Sequence, residues 1–288
     1  MRTSPYLRYL ITAAMLLLAA LVARYLWNDN MYSPWTRDGR VKADVINIAA
    51  DVSGIVTRVA VRDNQFVHKG ELLFTIDQSR YANTLAQTEA ELASQQADKT
   101  MRSREAARRA GLDSAIVTSE NRETAASLSS MAGAKYLAVL AARETAKLNL
   151  ERTEVRAPVD GYVTNLRVFV GDYASAGSAK LAIIDSNSFY VFGYFEETKL
   201  PYLAVNDPVE IRMLDGQATL EGHIESISRG ITDRDAATGR ELLADVNPTF
   251  NWVRLAQRVP VRIRIDKLPA DRMLIAGTTC TVVVKPQR

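Results

Sequence analysis

The 288-residue chain has one cysteine, Cys280, and two histidines, His68 and His223. A single cysteine excludes an internal disulfide and a thiolate metal cluster, and it leaves the redox compartment open. Cys280 lies in the apolar run from Thr279 to Val284 and is expected to be a buried strand residue. The histidines stand in different parts of the chain. No His-Glu-x-x-His, Gly-x-Ser-x-Gly or phosphate-loop pattern surrounds either, so both read as lone surface residues and no enzyme is expected. Asp233 to Glu241 begins like a calcium loop, but Ala237 and Thr238 occupy the fifth and sixth positions, where a liganding side chain and glycine are needed. No metal or cofactor is expected. Charge of one sign is lacking too. The net +3 is interspersed without a long run, which leaves no footprint for nucleic acid.

Proline is missing from residues 78–154, within the longest proline-free stretch of the chain, between Pro34 and Pro158. Ser79 to Ala110 and Ser119 to Arg152 are rich in Ala, Glu, Gln, Arg and Leu, the strong helix formers. Between them, Gly111 to Thr118 loses that character: glycine suits a helix C-terminus, Thr118 or Ser119 can cap the next helix, and Glu120 complements its dipole. The expected structure is a hairpin with arms of roughly 50 Å, too long to cover a globular core. Tyr81, Leu85, Thr88, Leu92 and Gln95 form a thin heptad seam in the first arm, and Ala125, Leu128, Ala132, Val139, Ala142 and Ala146 a matching stripe in the second.

The segments on either side of this hairpin resemble each other. Ala50-Asp51-Val52-Ser53-Gly54-Ile55-Val56-Thr57 corresponds to Ala157-Pro158-Val159-Asp160-Gly161-Tyr162-Val163-Thr164, and the match continues through Gly70 and Gly177. Gly54 and Gly161 are 107 positions apart, as are Gly70 and Gly177. Each half reads as short β-branched strands broken by Gly and Asn/Asp turns. Two halves make one small β-sandwich, from which the hairpin rises as an insertion, with Asp77 and Val155 side by side at its base.

From Leu7 to Trp27 the chain is apolar except for Arg8 and Arg24, long enough to cross a bilayer. Tyr6, Tyr9, Tyr25 and Trp27 suit the two interfaces. No Ala-x-Ala site follows, so an uncleaved anchor is favoured over a signal peptide. Met31 to Gly39 reads as a linker and Arg40 to Ile48 as a first strand. From Phe189 onward short strands recur at Phe189 to Phe195, Val209 to Met213, Leu220 to Ile227, Val259 to Ile265 and Thr279 to Val284, which predicts a small antiparallel barrel. In the fourth, Val259, Val261, Ile263 and Ile265 alternate with Arg262 and Arg264, read as a half-buried strand near an edge.

The split sandwich resembles a lipoyl domain, and a lipoyl domain interrupted by a helical hairpin resembles the periplasmic adaptor, or membrane fusion protein, family of the HlyD/EmrA type. Gly193 to Pro201 and Asn247 to Val261 look most like its p-hydroxybenzoic acid efflux subgroup. A true lipoyl carrier would need an acceptor lysine where the hairpin stands, and Lys69 lies within the first half instead. The resemblance implies an elongated α+β chain: cytoplasmic tip and anchor (1–30), linker and first barrel strand (31–47), lipoyl half 1 (48–77), coiled-coil hairpin (78–154), lipoyl half 2 (155–185) and barrel (186–288). It also implies a single-pass protein of the Gram-negative inner membrane with its body in the periplasm. Its partners would be an inner-membrane exporter, an outer-membrane channel of the TolC type and further copies of itself in a hexameric ring. Arg108, Leu112 and Ser119 match the Arg-x3-Leu-x6-Ser spacing by which such hairpin tips are thought to dock on the channel. A membrane-anchored coiled-coil scaffold without transport is the alternative. The anchor reading predicts that the mature chain keeps Met1 or Arg2 and that a periplasm-dependent reporter fused after Arg288 is active; a soluble chain starting near Arg24 would refute it.

Overall fold

The computed structural model describes residues 5–32, 34–113, 116–214, 216, 219–231, 256–267 and 274–285. They fall into two compact units, Val45–Asn187 and the remainder, Met1–Asp44 with Ser188–Arg288.

The first unit is built on the internal repeat. Its strands are β2 (Val45–Ala49), β3 (Gly54–Val59), β4 (Phe66–Val67) and β5 (Leu72–Ile76) before the hairpin, and β6 (Glu154–Arg156), β7 (Gly161–Thr164), β8 (Tyr173–Ala174) and β9 (Ala179–Asp185) after it. They form two four-stranded sheets, ordered β2-β9-β7-β4 and β6-β5-β3-β8. Exchanging each strand for its repeat equivalent turns one order into the other. Each sheet therefore takes two strands from each half: a central pair from one half, β7 with β9 or β3 with β5, is flanked on both sides by strands of the other. Between the sheets lie Val56, Val67, Leu73, Phe74, Ile76, Val163 and Ile183, all fully buried, each contributing about 1.5–3 kcal/mol in transfer from water.

The matched glycines do matched work. A Cβ on Gly54 would meet Ile76 Cγ2 at 2.6 Å, and one on Gly161 would run into the Ile184 carbonyl oxygen, so both strands begin in close contact with a neighbouring strand. Gly70 and Gly177 instead hold φ of +86° and +77° in turns that L side chains avoid.

The hairpin comprises α2 (Ser79–Ala110) and α3 (Ser119–Glu151). Its base is closed by strand pairing, with Val155 opposite Phe74 and not Asp77: Thr75 pairs with Glu154 and Phe74 with Val155, and the Ile76 amide donates to the Thr153 carbonyl at 2.9 Å. The Thr153 hydroxyl, fully buried, donates to the Leu150 carbonyl at 2.6 Å and accepts from Gln78 Nε2 at 3.0 Å. Asp77 accepts from the amide and hydroxyl of Ser79 at 3.0 and 2.8 Å, and these bonds hold its carboxyl below the ordinary carboxylate range.

From Ser79 to Ala97 the half-buried side chains of α2 are Tyr81, Leu85, Thr88, Leu92 and Gln95, the stripe read from sequence, and toward the tip Asp98, Lys99, Thr100, Arg102, Glu105, Ala106 and Arg109 are half-buried too. On α3 the stripe differs. The side chains turned from solvent include Arg122, Ala125, Ser129, Ala132, Tyr136, Val139, Arg143 and Ala146, whereas Leu128 and Ala142 are exposed. The true seam alternates steps of three and four without a break, and it admits polar residues because they have partners across the hairpin. Arg143 bonds Glu89 at 3.2 Å, and Lys99 Nζ lies 4.4 Å from the Tyr136 ring centroid. α3 is also long and apolar enough by composition to suit a membrane. That apolarity is largely alanine, its three buried residues are alanines, and it packs along α2 with Arg143 and Glu144 in its last third.

In the second unit, α1 (Pro5–Tyr32) is one continuous helix, and every side chain from Ile11 to Arg24 is exposed. β1 (Trp35–Lys42), β10 (Tyr190–Glu196), β11 (Pro208–Met213), β12 (Thr219–Ile227), β13 (Arg258–Ile265) and β14 (Thr279–Val284) close a barrel in the order β1-β10-β13-β12-β11-β14. The span Arg40 to Ile48 is thus two strands, the first in the barrel and the second in the sandwich. β13 is not near an edge: it pairs on both sides, with β10 and β12. The alternation of Val259, Val261, Ile263 and Ile265 with arginine reflects the inside and outside of a closed barrel. Arg262 packs over the Tyr190 ring, 3.8 Å from its centroid, and bonds Glu225 at 2.8 Å. Cys280 is buried among this core, and burial pushes its thiol up to about 12.

Gly161→Ala is expected to destabilise the Val45–Asn187 unit by about 1–3 kcal/mol through backbone overlap. Gly133→Ala, in α3 where a new Cβ meets nothing within 4 Å, should stabilise it by about 0.5–1 kcal/mol. Denaturant titration followed by far-UV circular dichroism checks both signs.

Candidate docking site at the hairpin tip

The tip is formed by the last turn of α2, residues 111–118 and the first turn of α3. α2 ends with Arg108 and Arg109, whose cationic groups complement the helix C-terminus. Gly111 caps it at φ −84°, in the right-handed region, so the terminus does not use glycine's left-handed freedom. Its amide donates to the Ala107 carbonyl at 3.2 Å. The Asp113 carbonyl accepts from Ile116 and Val117 at 2.9 and 3.1 Å, a tight turn that delivers the chain to α3. Thr118 is the N-cap, its side chain accepting from the Asn121 amide at 3.4 Å, which makes Ser119 the first helical residue.

Arg122 holds the tip together, with its Nη2 donating to the Leu112 carbonyl at 2.6 Å across the loop. Glu105 pairs with Arg109 at 2.6 Å and Arg102 at 3.7 Å. Arg108 therefore makes no ion pair among the described residues. Its guanidinium borders an open stripe on α2 with Ala97, Met101 and Arg104. Arg108, Leu112 and Ser119 are all exposed, Leu112 to 44%. They occupy the α2 end, the loop and the α3 start respectively. Sequence reading missed Ile116, 71% exposed in the same loop, and the clamp by Arg122. A β-branched aliphatic beside Leu112 in a polar loop was a usable signal for the first. The clamp bridges ten positions and had none.

Elsewhere, no group of three or more His, Cys, Asp or Glu among the described residues could hold a metal ion. His223 is not a lone histidine: its Nδ1 lies 2.6 Å from Asp266. His68 stands 3.6 Å from Asp160. Lys69 lies in the β4–β5 turn, its amide donating to Asp160 at 2.7 Å. The calcium-like stretch Asp233 to Glu241 falls outside the described residues.

Comparison with known proteins places this architecture. Residues 44–186 match the RND MFP barrel-sandwich hybrid domain, and residues 188–285 match the AAEA-like β-barrel domain. The uncharacterized protein YdhJ of Escherichia coli (strain K12) is 41% identical over 278 residues, covering 96% of this chain and 98% of that one. Among solved structures, the membrane fusion protein Spr0693 of Streptococcus pneumoniae R6 aligns with 89% of this chain and 100% of its own at a TM-score of 0.64 and 15% identity. A MacA-MexA chimera carrying the Pseudomonas aeruginosa MexA α-hairpin domain aligns with 88% of this chain and 82% of its own at 0.62 and 23%. The chain belongs to the membrane fusion protein family, with a barrel of the AAEA-like kind.

Arg122→Ala should free the Leu112 carbonyl. Loss of one charge-assisted hydrogen bond, about 1.5 kcal/mol, makes local opening about tenfold more frequent, read as faster chymotryptic cleavage after Leu112.

Proposed function

We propose that this chain is the periplasmic adaptor of a tripartite efflux pump. α1 anchors it in the inner membrane, the second unit meets an exporter there, and the hairpin reaches an outer-membrane channel of the TolC type. The observation that carries the reading is the closed base of the hairpin: strand pairing at Thr75 and Glu154 holds both arms of a helix pair roughly 50 Å long, with Leu112 and Ile116 exposed at its far end. A projecting element with an apolar tip suits contact at a distance from the body. Membrane fusion proteins are non-enzymatic adaptors, so export is driven by the partner. The sandwich acts as a lipoyl-type fold without a carrier role, the hairpin as a coiled coil, and copies assemble as a ring, a hexamer in this reading. In this reading the cargo is aromatic carboxylic acids, selected by the exporter, because Gly193 to Pro201 and Asn247 to Val261 resemble the p-hydroxybenzoic acid efflux subgroup.

At the tip, Arg108 donates to channel carboxylates or carbonyls, Leu112 enters an apolar groove, and Ser119 hydrogen-bonds outward. Leu112→Asp should cost about 2 kcal/mol or more, a loss of roughly thirtyfold in channel affinity. Crosslinking to the channel should fail while crosslinking to the exporter survives; normal export by this variant would remove Leu112 from the site. Replacing residues 79–152 by Asn-Gly should leave a protease-resistant chain that binds the exporter and exports nothing. A degraded remnant would instead favour a scaffold whose core includes the hairpin.

A further inference from the structure

The barrel rim at which α1 arrives has the chemistry of a membrane-contact surface. Three connections meet at that rim. The first is the entry from α1 into β1. The second is the β10–β11 connection, made of the 3-10 helix Glu197–Tyr202 and the turn to Pro208, and the third is the segment following β12. The Pro34 carbonyl accepts from the Val284 amide at 3.0 Å, so hydrogen bonding to the barrel begins two positions after α1 ends at Tyr32. Two Cα steps of 3.8 Å separate Tyr32 from Pro34, so the rim stands within about 8 Å of the helix end.

Helix length sets the depth. The 28 residues of α1 span about 42 Å, against about 30 Å of hydrocarbon and about 40–45 Å with headgroups. The polar sequence Asn28-Asp29-Asn30 follows Trp27 in the last turns. A helix so placed ends at the outer margin of the headgroup layer, which brings the rim to the same level.

What the rim presents there is apolar and cationic together. Tyr202, Val205 and Ile231 are 43%, 54% and 43% exposed, while Leu200 and Leu203, from the same connection, turn inward onto the barrel core. Lys199 lies over Trp35, its Nζ 4.9 Å from the ring centroid and 3.1 Å from the Trp35 carbonyl. Arg258 bonds Asp38 at 2.6 Å beside it, and Arg229 is exposed on the next connection. Glu196 and Glu197 also face this rim, so its charge is mixed and attraction to anionic lipid alone does not account for it. Aromatic and aliphatic side chains with flanking Lys and Arg are the composition that settles at a bilayer interface, apolar parts in the acyl boundary and cations at the phosphates.

We propose that Tyr202, Val205 and Ile231 insert into the headgroup layer of the membrane that α1 crosses, with Lys199 and Arg258 donating to lipid phosphates. The barrel is thereby seated on the bilayer at two points, the helix and the rim. This rests on the anchor reading above.

The test uses the full chain bearing Val205→Cys, labelled with a fluorophore, in phosphatidylcholine nanodiscs doped with lipid carrying a spin label on its headgroup. Cys280, buried with its thiol raised, stays unlabelled while the barrel is folded, which also reports folding in every variant. Lipid quenching is expected at Val205→Cys and not at Thr219→Cys, exposed on the opposite rim. Tyr202→Glu or Ile231→Glu should lower the ratio of seated to unseated barrel about tenfold, the equivalent of one apolar side chain returned to water; Lys199→Gln should reduce it less. Equal quenching at both rims, quenching indifferent to Tyr202→Glu and Ile231→Glu, or protection that appears only when an exporter is added would each overturn the lipid contact. Alkaline carbonate extraction separates the two readings: release of the chain refutes the anchor and this inference with it, while an embedded chain with an unquenched label refutes this inference alone.

Discussion

Strand exchange between the two halves of the sandwich is the constraint on which the hairpin depends. β4 of the first half pairs with β7 of the second, β8 of the second with β3 of the first, and β2 lies against β9 while β6 lies against β5. Because each sheet needs strands from both halves, the sandwich cannot close until the chain has returned from the hairpin. Closure then brings the ends of a 77-residue excursion together, and the buried Thr153 hydroxyl, satisfied by Leu150 and Gln78, makes the junction specific. A long insertion costs little more loop entropy than a short one, so the sandwich tolerates a helical insertion of its own size.

The hairpin is held together by many weak contacts. α2 buries no residue completely and α3 buries only Ala125, Ala132 and Ala146. Small residues let the helices approach, but they supply little apolar area, and the polar members of the seam bond across it instead, as Arg143 does to Glu89. Such a structure is held at its base by the sandwich and at its tip by Arg122, with modest stability between. Outward side chains such as Met101 and Leu137 are not needed to hold the pair together.

Closure of the barrel solves a different problem. Six short strands, one from before the sandwich and five from after it, leave no unpaired edge. β1 completes the ring between β10 and β14, so the chain leaving α1 is locked into the barrel before it proceeds to the sandwich. A pull on α1 is borne by backbone hydrogen bonds to two strands.

Periodicity and glycine spacing carried much of this in the sequence. The 107-residue offset between Gly54 and Gly161 announced a duplicated fold because a neighbouring strand lies too close for a Cβ at either place, through the Ile76 side chain at the first and the Ile184 carbonyl at the second, and five barrel strands were visible because a closed barrel imposes strict alternation. Proline's absence and the capping residues delimited the helices for equally local reasons. Which stripe of α3 faces α2 was not local: Leu128 is more apolar than Ser129, yet Ser129 lies in the seam, since heptad phase is set by packing against the whole length of α2. The place of β13 inside a closed ring was likewise undetermined, because alternation reads the same in an edge strand and a barrel stave. Hydrogen bonds such as Arg122 to Leu112 arise only once two segments converge, and no property of either residue alone encodes them.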